Sequence, residues 1–197
     1  VGTGLVLESI CWGLIGPNMW RFPTMIRDGS LDLALTKPVS TQFFVSTRYM
    51  DINGVLNTVV GFALLLMGLT NVGRWPQIHE WILWLFLLLC GLAMAYSLWF
   101  FLVTCSVWAV KLDAIAVAFD PMMQMARFPV DIYPYRMRVF LTTILPIAFF
   151  TTFPSQALLG KLQFQIVPVA FALAIFLLFL SHRFFHFALK NYGSASS

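Results

Sequence analysis

Four runs of this chain carry no charged residue over 20 to 30 positions: 52–73, 81–110, 139–160 and 162–181. A helix needs about 20 apolar residues to cross the hydrocarbon core of a bilayer. Each run therefore predicts a span, and 81–110 is longer than one span needs. Residues 1–20 read as the tail of a fifth span, interrupted by Glu8. The 139–160 run holds Pro146 and Pro154, with the polar Ser155, Gln156, Gln163 and Gln165 close behind. Proline removes a backbone donor and kinks a helix. The pattern predicts a kink at Pro146 and a broken, partly re-entrant helical hairpin over 154–165. Between the second and third runs, 112–129 mixes Ile115, Val117, Phe119, Met122, Met123 and Met125 with Asp113, Asp120 and Arg127. Asp120 followed by Pro121 reads as a helix start, so a helix lying in or near a membrane interface is expected there. The tail from 191 to 197 is expected to be disordered. The fold class is an all-α integral membrane protein, a polytopic helical bundle forming one domain over 1–197.

Charge gives the bundle a direction. Arg21, Arg27, Lys37 and Arg48 precede the first run; Lys111, Arg127, Arg136 and Arg138 separate the second and third; Arg183 and Lys190 follow the fourth. The alternate loops hold only Arg74 and Lys161. Basic loops face the cytoplasm. Residues 21–51, 111–138 and 182–197 are therefore expected inside, with the C-terminus cytoplasmic, and the turns at 74–80 and around Lys161 outside. The aromatics agree. Trp75, Trp81 and Trp84 fall at the expected outer boundary, and Trp108, Tyr133 and Tyr135 near the inner one.

Composition sharpens this. The chain of 197 residues is 60% apolar and 10% charged, and its mean hydropathy is +0.84. Soluble domains carry about 25% charged residues. The net charge of +4 belongs to the loops between spans, which makes it a topological signal and gives no case for nucleic acid as a partner.

Candidate chemistry is sparse. No GxxxxGK[ST] phosphate loop occurs, so ATP hydrolysis by that route needs another chain. An intramembrane hydrolase, one rival reading, needs a nucleophile–histidine pair or paired carboxylates at membrane depth. His79, His182 and His186 all fall at span boundaries, and no Asp or Glu interrupts the four runs. His182 and His186 share a helical face with no third metal ligand beside them. Cys11, Cys90 and Cys105 are far apart and read as buried thiols. No catalytic residue and no metal site is assigned. Glu8 is the acidic residue within an apolar stretch and is expected to be structural. Asn53 with Asn57, Thr104 with Trp108, and Thr151 with Thr152 are expected to form interhelical hydrogen bonds. The Met residues at 122–125 read as adaptable packing.

The most informative polar stretch is IRDGSLDLALTKPVS, positions 26–40. Gly29 gives a turn and Ser30 can cap a helix. Asp32 then lies in the first turn and Lys37 in the last, matching the helix dipole, and Pro38 ends it. The pattern predicts about two helical turns, with Leu31, Leu35 and Ala34 as the apolar side. Such a helix is either a surface turn on lipid headgroups or a docking helix for a soluble partner.

This stretch resembles the cytoplasmic loop of type-2 ABC transport permeases of the drug and antibiotic exporter branch, whose pattern is I-x-x-G-x-L-D-x-x-L-x-[KR]-P-V. Ile26, Gly29, Leu31, Asp32, Leu35, Lys37, Pro38 and Val39 match it. The stretch 127–160 is similar to the same branch at Phe128, Pro129, Ile132, Tyr133, Pro134, Pro146, Phe149, Pro154, Leu158 and Gly160. The resemblance implies six spans, of which about five are visible, and a missing N-terminal part. It implies a subunit of an ATP-driven exporter in the cell inner membrane. Its partners would be a cytosolic ABC ATPase, a second permease copy or homologue, and membrane lipids. The chain itself would bind no cofactor; ATP and Mg would sit on the ATPase. Arg27, Asp28, Gly29, Ser30, Leu31, Asp32, Leu35, Lys37 and Pro38 would form the coupling helix. Pro146, Thr151, Thr152, Pro154 and Gln156 would shape the pathway or its outer hairpin. The remaining rival is a non-energised channel or membrane scaffold, which gives no reason for a helix poised at 30–37.

Overall fold

The computed structural model describes residues 1–108, 119–143 and 145–192. Every regular element in these segments is helical. The fold is a bundle built around one long central helix. Helix α1 (Gly2–Ile10) runs through a π turn (Cys11–Ile15) into α2 (Gly16–Arg27) without leaving helical backbone. Pro17 accounts for the π turn: it has no N–H for the carbonyl of Gly13, four residues back, and its ring crowds that carbonyl. The freed Gly13 carbonyl accepts instead from the Asp51 N–H at 2.8 Å. The expected partial span over 1–20 is thus a helical path reaching Arg27.

Helix α5 (Ile52–Val72) packs antiparallel to this path along glycines. A Cβ on Gly2 would lie 2.5 Å from the Leu65 Cα, and one on Gly61 2.9 Å from the Val6 N. Gly54 meets the backbone of Gly13 in the same way. Small residues let helix backbones approach in membranes, where van der Waals packing replaces the hydrophobic drive. Helix α6 (Ile78–Thr104) lies on the other side, parallel to α1. The Trp84 indole N–H donates to the Thr3 hydroxyl at 3.4 Å, Leu7 packs at Gly91, and Trp99 lies against Gly16. The last helix, α10 (Ile166–Lys190), packs along α6. Helices α5, α6 and α10 coincide with three of the expected spans, and each is long and apolar enough to cross a membrane.

The 139–160 run breaks at Pro146, as expected, and bends there sharply. Helix α8 (Tyr135–Thr143) and the helical segment Ile147–Leu158, which includes α9 (Thr152–Leu158), lie at 77° to each other. Pro146 stands between them with ψ 45°, off the helical region. The second segment starts where a Cβ on Gly91 would lie 2.8 Å from the Phe149 carbonyl oxygen, and ends at Gly160. Gly160 has φ +64°, beside the Arg74–Glu80 ion pair of 2.6 Å. This segment covers only the half of the bundle away from the basic end. Pro154 sits in the first turn of α9, where a missing N–H costs nothing.

Helix α7 (Phe119–Ala126) already includes Asp120 and Pro121, so Asp120 does not cap it as expected. It does not lie at the basic end. Phe119 stacks on Trp99 at 4.6 Å, and Arg127 reaches Glu8 and the backbone at Gly4. The positive-charge reading of 111–138 therefore fails at Arg127, which sits beside the middle of α5. Lys111, Asp113, Ile115 and Val117, the end of the 81–110 run, and 193–197 lie outside the described residues.

Candidate functional site

Two places gather polar chemistry. One is the basic end of the bundle, formed by the end of α2, the loop to α5 and the end of α10. Gly29, with φ +70°, turns the chain out of α2. Helix α3 (Leu31–Leu35) follows and packs on α4 (Thr41–Thr47). It is shorter than two turns. Ser30 has helical dihedrals and makes no side-chain cap; the turn closes instead through the Asp32 N–H to the Gly29 carbonyl at 3.1 Å. Thr36 closes the other end, its hydroxyl donating to the Leu33 carbonyl at 3.0 Å. Lys37 falls beyond the helix, its ammonium 4.4 Å from the Phe44 ring centroid.

The apolar side also differs. Leu31 and Ala34 are buried as expected, but Leu35 is 40% exposed and Leu33 69% exposed. Leu35 closes the helix, and residues 36–40 beyond it are exposed, so nothing covers it. Asp28, Pro38 and Val39 are exposed around this outward face. Asp32 is half-buried, and burial together with the Asp32 carboxylate pushes the Tyr192 phenol above its ordinary value. Tyr192, just beyond α10, therefore lies near enough to Asp32 to feel its charge.

Residues that the sequence reading did not single out hold this end. Asn18 is fully buried. Its amide donates to the carbonyls of Leu14 and Tyr49, each at 2.8 Å, and its oxygen accepts from the Tyr49 N–H at 2.8 Å. It pins the 49–51 strand of loop against α2. Arg21 lies 3.8 Å from the centroid of the Tyr49 ring. Gln42 joins three helices: it donates to the Tyr96 hydroxyl at 3.1 Å and faces His182 Nδ1 at 2.6 Å. The available signal was an Asn between Pro17 and Pro23 in an apolar helix, a poor helix former with a reason to be there.

The second place is a polar slot of about 330 Å³ along the α1–α5 seam. Its walls include Glu8, Ser9, Trp12, Asp51, Asn57 and Arg127. Glu8 is buried and takes two hydrogen bonds from Arg127, one from Nε at 2.5 Å and one from Nη2 at 2.7 Å. A two-pronged guanidinium–carboxylate pair is the strongest charge-assisted arrangement available. Asn53 and Asn57 share a face, as expected, but their side chains make no hydrogen bond with another described residue. Thr104 bonds within its own helix, to the Phe100 carbonyl at 2.6 Å. Thr151 and Thr152 do bond between segments: the Thr151 hydroxyl donates to the Ala126 carbonyl, and the Thr152 hydroxyl accepts from the Val130 N–H at 3.0 Å. These contacts tie α9 to the end of α7, beside Arg127. Gln156 is half-buried on α9.

Neither place holds a convergent catalytic set. His182 and His186 face each other at 4.4 Å between ring centroids, edge to face. Among the described residues, no group of three or more His, Cys, Asp or Glu side chains is placed to hold a metal ion. The arrangement is that of a multi-pass membrane protein with a shaped, charged end and a polar slot at span height.

No curated protein and no solved structure matches this chain. A family model described as ABC-2 family transporter protein matches residues 1–196. The chain therefore belongs to the ABC-2 family of transporter proteins and is a transmembrane subunit of an ABC transporter.

Proposed function

We propose that this subunit is the permease of an ATP-driven exporter of the drug and antibiotic branch, and that α3 with its flanks, from Arg27 to Pro38, receives the motion of a cytosolic ABC ATPase. The observation that carries this is the split face of α3. Leu31 and Ala34 anchor it in the bundle, while Leu33 and Leu35 stand out among exposed polar groups. Two bare leucines on a five-residue helix fit a partner's groove, because exposed large apolar groups framed by charge mark contact surfaces. A push on α3 has short routes into the bundle. One runs through Asp32 to the end of α10. Another runs through α4, where Gln42 and Ser46 bond Tyr96 of α6.

In this reading the C-terminus is cytoplasmic and the membrane is the cell inner membrane. A second permease copy or homologue covers part of the exposed apolar surface and lipids cover the rest. ATP and Mg are bound by the ATPase, with no cofactor on this chain. The jointed segment with Pro146, Thr151, Thr152, Pro154 and Gln156 shapes the outer part of the pathway. A channel or scaffold without energy coupling leaves the outward leucines without a role.

The test is co-purification from detergent-solubilised membranes. The full-length chain is compared with Leu33→Arg, Leu35→Arg and a version in which 27–38 is a Gly/Ser linker. An ATPase recovered with the intact chain and lost from all three variants is the expected result. An ATPase retained by both leucine variants removes the docking role from α3. No ATPase with any form removes the exporter reading and leaves the membrane bundle.

A further inference from the structure

Polar side chains at the height of a spanning helix cannot face hydrocarbon without large cost. The slot between α1 and α5 carries several. Its position along α5 runs from Asp51 at the helix cap to Gly61 near the helix middle, about 15 Å at 1.5 Å per residue. Its charges are largely cancelled. Both Glu8 oxygens accept from Arg127, and that pairing uses Nε and Nη2. What remains is a mixed set of neutral donors and acceptors. Arg127 keeps its Nη1 hydrogens, and Asn53 and Asn57 keep whole amides. The Ser9 hydroxyl opens onto the slot and has no hydrogen-bond partner among the described residues. Unpaired polar groups at span height therefore point to a polar occupant of the slot. At about 30 Å³ per water, 330 Å³ is room for roughly ten waters or a small ring.

We propose that this slot is a binding subsite for a neutral, hydroxyl-rich group. A full anion meets an Arg127 already paired with Glu8, and finds Asp51 at the far end of the slot. A full cation finds the Arg127 guanidinium, 45% exposed, in its way. Hydroxyls both donate and accept. Adjacent hydroxyls pair well with the planar amides of Asn53 and Asn57 and with the free edge of Arg127, and the Ser9 hydroxyl gains the partner it lacks. Trp12, on the same wall, offers a flat apolar surface for the carbon face of a ring. That such a group belongs to transported cargo rests on the permease role proposed above. The binding itself does not, and it is tested without an ATPase.

The experiment uses the full chain in lipid nanodiscs with Ser9→Cys. Modification by a water-soluble maleimide is read at that position by peptide mass spectrometry, with methyl β-glucoside, tetramethylammonium or methyl sulfate present. The expected result is that the thiol reacts and that only the glucoside slows it, saturably, by about tenfold at ten times its Kd. Adding Asn57→Leu should abolish that protection while leaving the thiol reactive. Three results would overturn the proposal. An unreactive thiol means that protein or lipid closes the slot. Equal or better protection by either ion means that the slot reads charge. No protection by glucoside up to its solubility means that the slot holds water alone.

Discussion

Glu8 stands in an apolar helix because Arg127, 119 positions away, meets it with two hydrogen bonds. Removing one partner of a buried pair strands the other charge and costs 3–5 kcal/mol when both are fully buried. Arg127 is 45% exposed on its side chain, so water or the slot contents soften the loss. Glu8→Gln is expected to destabilise by about 1–3 kcal/mol. Arg127→Gln should cost at least as much, because it strands the more buried carboxylate. The double variant should cost less than the two single changes combined, since the interaction is shared. Thermal unfolding in detergent reads all three, and strict additivity would separate the two residues. Asn18 is a second residue-scale case. Asn18→Ala leaves both polar groups of Tyr49 without their partner, a loss of about 2–3 kcal/mol. It should also raise protease cleavage near 49–51. Neither residue's partner was legible in the sequence. Glu8 was recognised as structural, but its partner is remote, and a run of hydropathy along the chain carries no information about what comes across from another segment.

At the scale of elements, the α1–α5 seam depends on backbone approach. The Gly13–Gly54 and Val6–Gly61 contacts leave no room for a side chain, whereas Gly68 on the same helix has nothing within 4 Å. Gly61→Val is therefore expected to separate the helices and destabilise by about 1–3 kcal/mol, as overpacking does. Gly68→Ala should be neutral or stabilise by up to about 1 kcal/mol through helix propensity. Equal effects at the two positions, measured by unfolding, would show that propensity and not contact governs α5. Helices α5, α6 and α10 were legible because each is built on a charge-free run of span length, and lipid imposes that pattern directly. The 139–160 run has the same length and lacks charge, yet it bends by 77°. Hydropathy sees the two halves alike. Pro146 marked the bend, but the direction after it is fixed by Gly91, which admits the Phe149 backbone. The helix at 31–35 was legible in place but not in detail, because Gly29 and not a Ser30 cap starts it.

For the whole molecule, the charge pattern and the packing agree at both ends and part company at Arg127. Arg21, Lys37 and Arg48 stack on Tyr49 and Phe44 at the basic end. Tyr192 of the last segment reaches Asp32 there. At the far end Arg74, Glu80 and Gly160 close together. Two independent constraints, the cost of moving basic loops across a membrane and the packing of helices, therefore give one axis. The expected outcome is a clean separation of sides. Lys37→Cys and Lys190→Cys should react with an impermeant maleimide only in inverted vesicles, and Lys161→Cys only in intact cells. All three positions are surface residues, so the fold should survive each change. Labelling of 37 and 161 from the same side would break the axis and, with it, the placement of α3 where a soluble ATPase could reach it. Labelling of 37 from the inside but 190 from the outside would be a different failure: α10 would cross in the other sense, and the Asp32–Tyr192 approach could not exist. With the axis intact, bound ATPase should shield 37 much more than 190. Leu33 and Leu35 face outward on the short helix just before Lys37, while Lys190 lies on the neighbouring helix end.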